Sequence, residues 1–165
     1  LDVRGRVIGV NAAIRTDSGA RVNSGVGFAI PVNTVKRIAP QLIEKGSASY
    51  PYLGVTADNR FSIAELAIAL KLPVDHGVLV STVTSGGPAE QAGLRGGDRT
   101  ARVRGAQVVT GGDIILAIDG TAIRDFDAMI AYLVNHTQVG QTVTVTILRD
   151  GQEQLIKVKL GERPK

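Results

Sequence analysis

Two β-rich runs, Thr142–Leu148 and Gln154–Leu160, flank the dipeptide Asp150-Gly151. Asp-Gly readily takes the two left-handed conformations of a tight hairpin turn, whose twist matches that of the strands it joins. The runs therefore read as a β-hairpin, and an isolated hairpin is at best marginally stable in water. Further strands must cover it. Asp113–Ile118 supplies a buried strand turned by Asp119-Gly120, and Gly77–Val83 supplies another. A third opens at Tyr52-Leu53-Gly54-Val55. Residues 95–112 are rich in glycine and arginine, with a short hairpin around Gly105.

Helices punctuate these strands. Ser62 and Glu65 form a capping box ahead of Ile63, Leu66, Ala67 and Leu70. Pro88–Gly93 reads as one or two helical turns, with Pro near the first position and Gly at the end. Asp125 caps a helix whose apolar stripe is Phe126, Met129, Ile130, Leu133 and Val134. The class is mainly β with α. The span 52–163 has the size of one complete domain.

Upstream of Tyr52 the pattern differs. Val3–Val10 reads as a hairpin turned at Arg4-Gly5, and Ser24–Pro31 as a strand stopped by Pro31. Two or three strands cannot bury both faces, so residues 1–32 are expected to need partners. Asn33 is the expected N-cap of a helix carrying Val35, Ile38, Ala39, Leu42 and Ile43 and ending at Gly46. Pro40 is expected to kink or delay that helix. Residues 46–51 read as a linker, so 33–51 connects the two parts.

Composition removes several function classes. Of 165 residues, 44% are apolar and 21% charged, too apolar and too evenly mixed for a disordered chain. No apolar run approaches the ~18 residues that a membrane-spanning helix needs, and no targeting leader is visible. The absence of Cys excludes disulfides, thiolate metal sites and cysteine nucleophiles. Residues 1–46 hold seven Lys/Arg against three Asp/Glu, whereas 47–165 hold twelve of each, so the larger part is neutral. The one tight basic cluster is Arg95, Arg99, Arg102 and Arg104. It has no aromatic neighbour for base stacking, so no nucleic-acid partner is expected.

The remaining motifs are structural. Thr84-Ser85-Gly86-Gly87-Pro88 resembles the nucleophile motif of trypsin-like proteases, but Val83 stands where that motif has glycine and Thr84 where it has Asp or Asn. It reads as a turn leading into a short helix. His76 and His136 have no metal-pair spacing, so no metal or other cofactor is expected. Gly25-Val26-Gly27 runs into Pro31 rather than into a helix and completes no phosphate loop. Asp98 and Asp113, each following paired glycines, read as turn residues.

One juxtaposition offers chemistry. A strand edge beside an apolar helix stripe can accept an extended peptide as an added strand. A glycine in the preceding loop lets backbone N–H groups converge on a carboxylate. The strand at Tyr52–Val55 and the stripe at Phe126–Leu133 offer such a pair, the alternative being that the stripe simply packs on the sheet, as apolar stripes usually do.

These residues also carry a resemblance. Tyr52-Leu53-Gly54-Val55, the run from Gly86 to Leu94, and the run from Gly112 to Gly120 are similar to a PDZ domain of the HtrA/Deg type. Gly5–Asn11 and Gly25–Pro31 resemble the end of the trypsin-like protease domain of the same family. The resemblance implies a small, partly open β-barrel or sandwich with two or three helices over 52–163. Terminal strands of a trypsin-like β-barrel would precede it. It implies that the catalytic triad lies upstream of Leu1, so no catalytic residue is assigned and this chain alone should be inactive as an endopeptidase. It assigns peptide binding to Tyr52, Leu53, Gly54, Val55, Phe126, Met129, Ile130 and Leu133. Asn11 and Ala12 would belong to the substrate-binding strand, and Gly27 and Phe28 to the specificity pocket. The implied partners are C-terminal or extended apolar peptides of unfolded proteins. The parent would be a homo-oligomer serving protein quality control in the bacterial envelope, periplasmic or extracytoplasmic. A stand-alone PDZ scaffold or regulator is the second reading. The Arg-rich segment 95–112 departs from the pattern, since many relatives pass almost directly from Ala-Gly-Leu to Gly-Asp.

Overall fold

The structure, a computed structural model, describes residues 1–16 and 23–164. The chain divides into two compact units, Leu1–Ser49 and Tyr50–Lys165.

In the first unit, β1 (Gly9–Thr16) pairs antiparallel with β2 (Asn23–Pro31), with Gly9 opposite Pro31 and Val10 opposite Ile30. The turn at Arg4-Gly5 is present, with Gly5 at φ +74°, but it does not join two strands as the sequence suggests. The Asp2 carboxylate accepts the N–H groups of Arg4 and Arg6, and the Asp2 N–H donates to the Arg6 carbonyl. This closes a side-chain-capped turn instead of a ladder. Helix α1 (Val32–Lys45) starts directly after Pro31, so Asn33 lies inside it and is not the cap. No side chain caps this end, and the Val32 N–H donates to the Ile8 carbonyl instead. The helix also runs through Pro40, where a kink or delay was expected. Pro40 is exposed, so the carbonyl that loses its partner can turn to water. Gly46, at φ +68°, ends the helix by donating its N–H to the Leu42 carbonyl.

The second unit opens with β3 (Pro51–Tyr52), β4 (Val55–Thr56) and α2 (Ile63–Leu70). Next come β5 (Val78–Leu79), β6 (Thr82–Val83), α3 (Pro88–Gln91), β7 (Arg99–Val103) and β8 (Ala106–Thr110). It closes with β9 (Ile114–Ile118), β10 (Thr121–Ala122), α4 (Phe126–His136), β11 (Thr142–Arg149), β12 (Gln152–Lys159) and β13 (Gly161–Glu162). The main sheet has the order β10-β9-β11-β12, with β5 also paired to β9. The pairs β13-β3, β4-β6 and β7-β8 flank it, and these sheets stay open. Three of the hairpins turn on two left-handed residues: Arg104-Gly105, Asp119-Gly120 and Asp150-Gly151. The architecture is mostly β with four helices among the described residues.

The expected single strand over Gly77–Val83 is divided. Residues 78–79 pair with β9 and residues 82–83 with β4, so the chain changes sheets between them. The core follows from that crossing. Val143, Val145 and Ile147 of β11 and Ile115 and Ile118 of β9 are wholly buried against Met129 and Leu133 of α4. A second cluster joins Ile63 and Leu66 of α2 to Val103 and Val108 of the β7–β8 hairpin.

Asp113 corrects the sequence reading most clearly. It is no open turn residue: it is 1% exposed and accepts two bonds from the Arg149 guanidinium, both at 2.7 Å. It also accepts the Arg95 N–H, while Arg149 reaches the Gly93 carbonyl. A buried carboxylate held this way is bidentate and charge-assisted, and it pins the loop after α3 to the end of β11, an inner strand of the main sheet.

Candidate functional site

Between β3 and β4 the chain passes through Leu53 and Gly54, both buried and neither in a ladder. Their carbonyls are occupied: the Leu53 C=O accepts the Ala89 N–H and the Gly54 C=O accepts the Thr84 N–H, both at 2.9 Å. In a trans peptide the C=O and the following N–H point in opposite directions. The N–H groups of Gly54 and Val55 are therefore aimed away from residues 84–89. Among the described hydrogen bonds, neither the Leu53 nor the Gly54 N–H has an acceptor in the protein. Buried amides are nearly always paired, so these two unpaired donors stand out among the described residues.

Val55 extends the row. The Thr84 N–H bond to the Gly54 carbonyl makes Val55–Val83 a non-hydrogen-bonded position of the β4–β6 ladder. Its own N–H and C=O consequently face the open edge of β4. Among the described residues only β6 pairs with β4, which leaves that edge without a described strand.

Gly54 is required by this geometry. Its φ is +86°, and a Cβ there would lie 3.2 Å from Pro88 Cδ and 3.5 Å from Tyr52 Cε1. The Tyr52 ring is itself held, because its hydroxyl and that of Thr84 share a hydrogen bond of 2.8 Å.

Beyond β4 lies a cavity of about 260 Å³. Ala57, Phe61, Ile63, Leu66, Val109 and Phe126 give it apolar walls, and Asp58, Asp125 and Asp127 stand among its polar lining. Arg60 holds the Asp58 carboxylate by a fork of two bonds, at 2.9 and 2.6 Å, and keeps its pKa below the ordinary value. The same guanidinium donates to the Gln107 carbonyl, tying the β7–β8 hairpin beside the cavity. Asp125 caps α4 by accepting the Ala128 N–H at 2.7 Å. That cap brings Phe126 to the cavity wall. Along α4, Ile130 stays 40% exposed, while Met129 and Leu133 turn into the core.

The structure thus brings Leu53, Gly54 and Val55 together as a donor row. It makes Tyr52 a support for that row and places Phe126 in the neighbouring cavity. Asn11, Ala12, Gly27 and Phe28 lie in the other unit, on the β1–β2 hairpin. There Asn11 is opposite Ala29, Ile14 opposite Gly27, and the register shifts at Ala12. Phe28 is 56% exposed.

No His/Cys/Asp/Glu group suited to a metal occurs among the described residues. His136 stacks on Tyr132 at 5.1 Å and His76 sits beside Asp75. Two of the clustered arginines are paired, Arg99 with Asp98 and Arg104 with Glu65. No described helix is long and apolar enough to cross a membrane. Sequence reasoning missed Thr84 and Arg149, whose partners lie 32 and 36 residues away. No local pattern announces such pairs.

A donor loop entering an open strand edge, next to a helix-walled cavity, agrees with the comparison to known proteins. Residues 51–160 match the PDZ domain family. The chain belongs to that family. Nearly its whole length is also similar to HtrA/DegP serine proteases. It is 37% identical over 164 residues to "Protease Do-like 1, chloroplastic" of Arabidopsis thaliana, covering 99% of this chain and 34% of that protein. It is 32% identical over 162 residues to "Periplasmic serine endoprotease DegP" of Escherichia coli K12, covering 98% of this chain and 30% of that protein. Among solved structures, "HtrA-type protease AlgW with decapeptide" aligns with a TM-score of 0.70 at 31% identity, over 100% of this chain and 45% of that one. The chain therefore spans about a third of these curated relatives, and it corresponds to their C-terminal region.

Proposed function

We propose that this PDZ domain captures C-terminal or extended apolar peptides of substrate proteins and does so as part of an HtrA/DegP-type serine endopeptidase. The carrying observation is the row of N–H groups at Leu53, Gly54 and Val55, two of them buried without an acceptor. A peptide carboxylate would take the Leu53 and Gly54 donors, and the peptide backbone would continue along the free edge of β4. Val55, Phe126 and Ile130 would meet its apolar side chains, with Met129 and Leu133 supporting them from beneath. The match to a relative solved with a decapeptide supports this reading.

On the same reading residues 1–32 are the terminal strands of a trypsin-like protease domain. Residues 33–51 are the connecting helix and linker, and 52–163 the PDZ domain. Asn11, Ala12, Gly27 and Phe28 would then belong to the protease substrate pocket. The parent protein would be a homo-oligomer of the bacterial envelope acting in protein quality control. Periplasmic relatives support that location.

The test is titration of the chain with apolar peptides ending in a free carboxylate or in an amide. Tighter binding of the free acid, lost when Ile130 is replaced by Glu, is the expected result. Equal binding of acid and amide would remove the carboxylate from the mechanism, and no binding of either would overturn the reading.

A further inference from the structure

The motif Thr84-Ser85-Gly86-Gly87-Pro88 is more than a turn before a helix. The motif and the following Ala89 touch the donor loop at four points. The Thr84 hydroxyl bonds Tyr52, the Thr84 N–H bonds the Gly54 carbonyl, and the Ala89 N–H bonds the Leu53 carbonyl. Pro88 Cδ packs against Gly54 on the side where a Cβ would point. The motif is itself braced. The Gly86 N–H donates to the Glu90 carboxylate at 2.6 Å, and the Gln91 amide donates to the Gly86 carbonyl at 2.8 Å. The Gly87 N–H closes the turn on the Thr84 carbonyl. A Cβ on Gly87 would lie 2.8 Å from that oxygen, so the second glycine is sterically required.

We infer that Thr84 is a positioning residue for ligand recognition, its hydroxyl locking Tyr52 against Gly54 so that the Gly54 and Val55 N–H groups are held toward the open groove before a peptide arrives. This rests on the reading of Leu53–Val55 as the carboxylate-binding segment. The two carbonyl bonds alone leave the loop free to rock about them. The Tyr52 ring lies beside Pro88 on the Cβ side of Gly54 and limits that freedom, and the Thr84 hydroxyl holds the ring. Donors held in advance bind an anion without a further ordering cost. Thr84 itself need not touch the ligand.

The experiment compares the free-acid to amide affinity ratio of one apolar peptide across variants of the full chain. Thr84→Val keeps the shape and the backbone bonds but deletes the hydroxyl. Loss of one neutral hydrogen bond corresponds to a drop of roughly fivefold in that ratio. The amide affinity should hold. Thr84→Ser, which keeps a hydroxyl, should restore the ratio. Tyr52→Phe should reproduce the loss from the other side of the bond, and the double variant should add nothing. Tyr52→Phe also covers the case in which Thr84→Val fails to fold. If both variants keep the wild-type ratio, the inference is overturned while the carboxylate reading stands. A parallel loss of acid and amide binding would overturn it too, by showing a merely structural role. A wild-type ratio of one would remove both.

Discussion

At the scale of single residues, the Leu53–Val55 segment depends on one backbone conformation. Gly54 sits at φ +86°, with Pro88 and Tyr52 both packed where a Cβ would point. An L-residue there meets a steric penalty of about 1–2 kcal/mol from the dihedral alone, and a methyl group must also displace the proline ring. Gly54→Ala should therefore lower stability by roughly that amount and abolish preference for a free carboxylate. Gly105 provides the comparison. Its φ is +83°, yet no atom lies within 4 Å of its virtual Cβ, and it turns the distant β7–β8 hairpin. Gly105→Ala, strained by its dihedral alone, should show a smaller drop in urea midpoint with peptide binding intact. If both variants bound as wild type, the special role of Gly54 would be gone. The importance of Gly54 was partly readable in the sequence, because a glycine before a strand suggests convergent amides. The clasp around it was not, since Thr84 and Pro88 lie some thirty residues away. Asp113 was misread for the same reason. Paired glycines before it suggest an open turn, but Arg149, on a different strand, takes it into the core.

Secondary elements were legible wherever their signals are local. The Ser62–Glu65 box, the Asp125 cap and the turns at Asp119-Gly120 and Asp150-Gly151 all stand where the sequence puts them. Each needs residues no more than four positions apart. The failures are non-local. Gly77–Val83 divides because two different sheets compete for it, and α1 starts at Val32 because Ile8 supplies the acceptor that a cap would replace. The capping box of α2 makes a pH prediction. Glu65 accepts the Ser62 N–H at 3.0 Å, and this bond is the main reason that its pKa is lowered below the ordinary 4.5. Arg104 of the β7–β8 turn adds to it. A depressed carboxylate pKa contributes stability that is present above the unfolded value and lost as pH falls through the folded one. Wild type should thus melt above Glu65→Ala at pH 7, and the gap should close below pH 4.5 as Glu65 protonates. Melting curves from pH 7 to 3 would check this. A gap independent of pH would assign the difference to packing instead of charge.

For the whole molecule, burial separates the two units. In Leu1–Ser49 no described side chain is buried, and Val10, Ile14, Phe28 and Ile30 stand exposed on the hairpin. Tyr50–Lys165 holds both hydrophobic clusters and the Asp113–Arg149 pair. Stability within a protein follows buried apolar contact, and amide exchange reports it region by region. Exchange in the full chain should therefore be fast across β1, β2 and α1, and slowest in β9 and β11, which hold the wholly buried Ile115, Ile118, Val143, Val145 and Ile147. If the second unit is self-sufficient, residues 50–165 alone should melt at the temperature of the full chain and bind the same apolar peptide with the same affinity. A lower melting temperature would show that the first unit contributes to that core, and weaker binding would give it a part in the groove. Unchanged values would place peptide binding within the second unit, which contains β4, the 84–89 turn and α4.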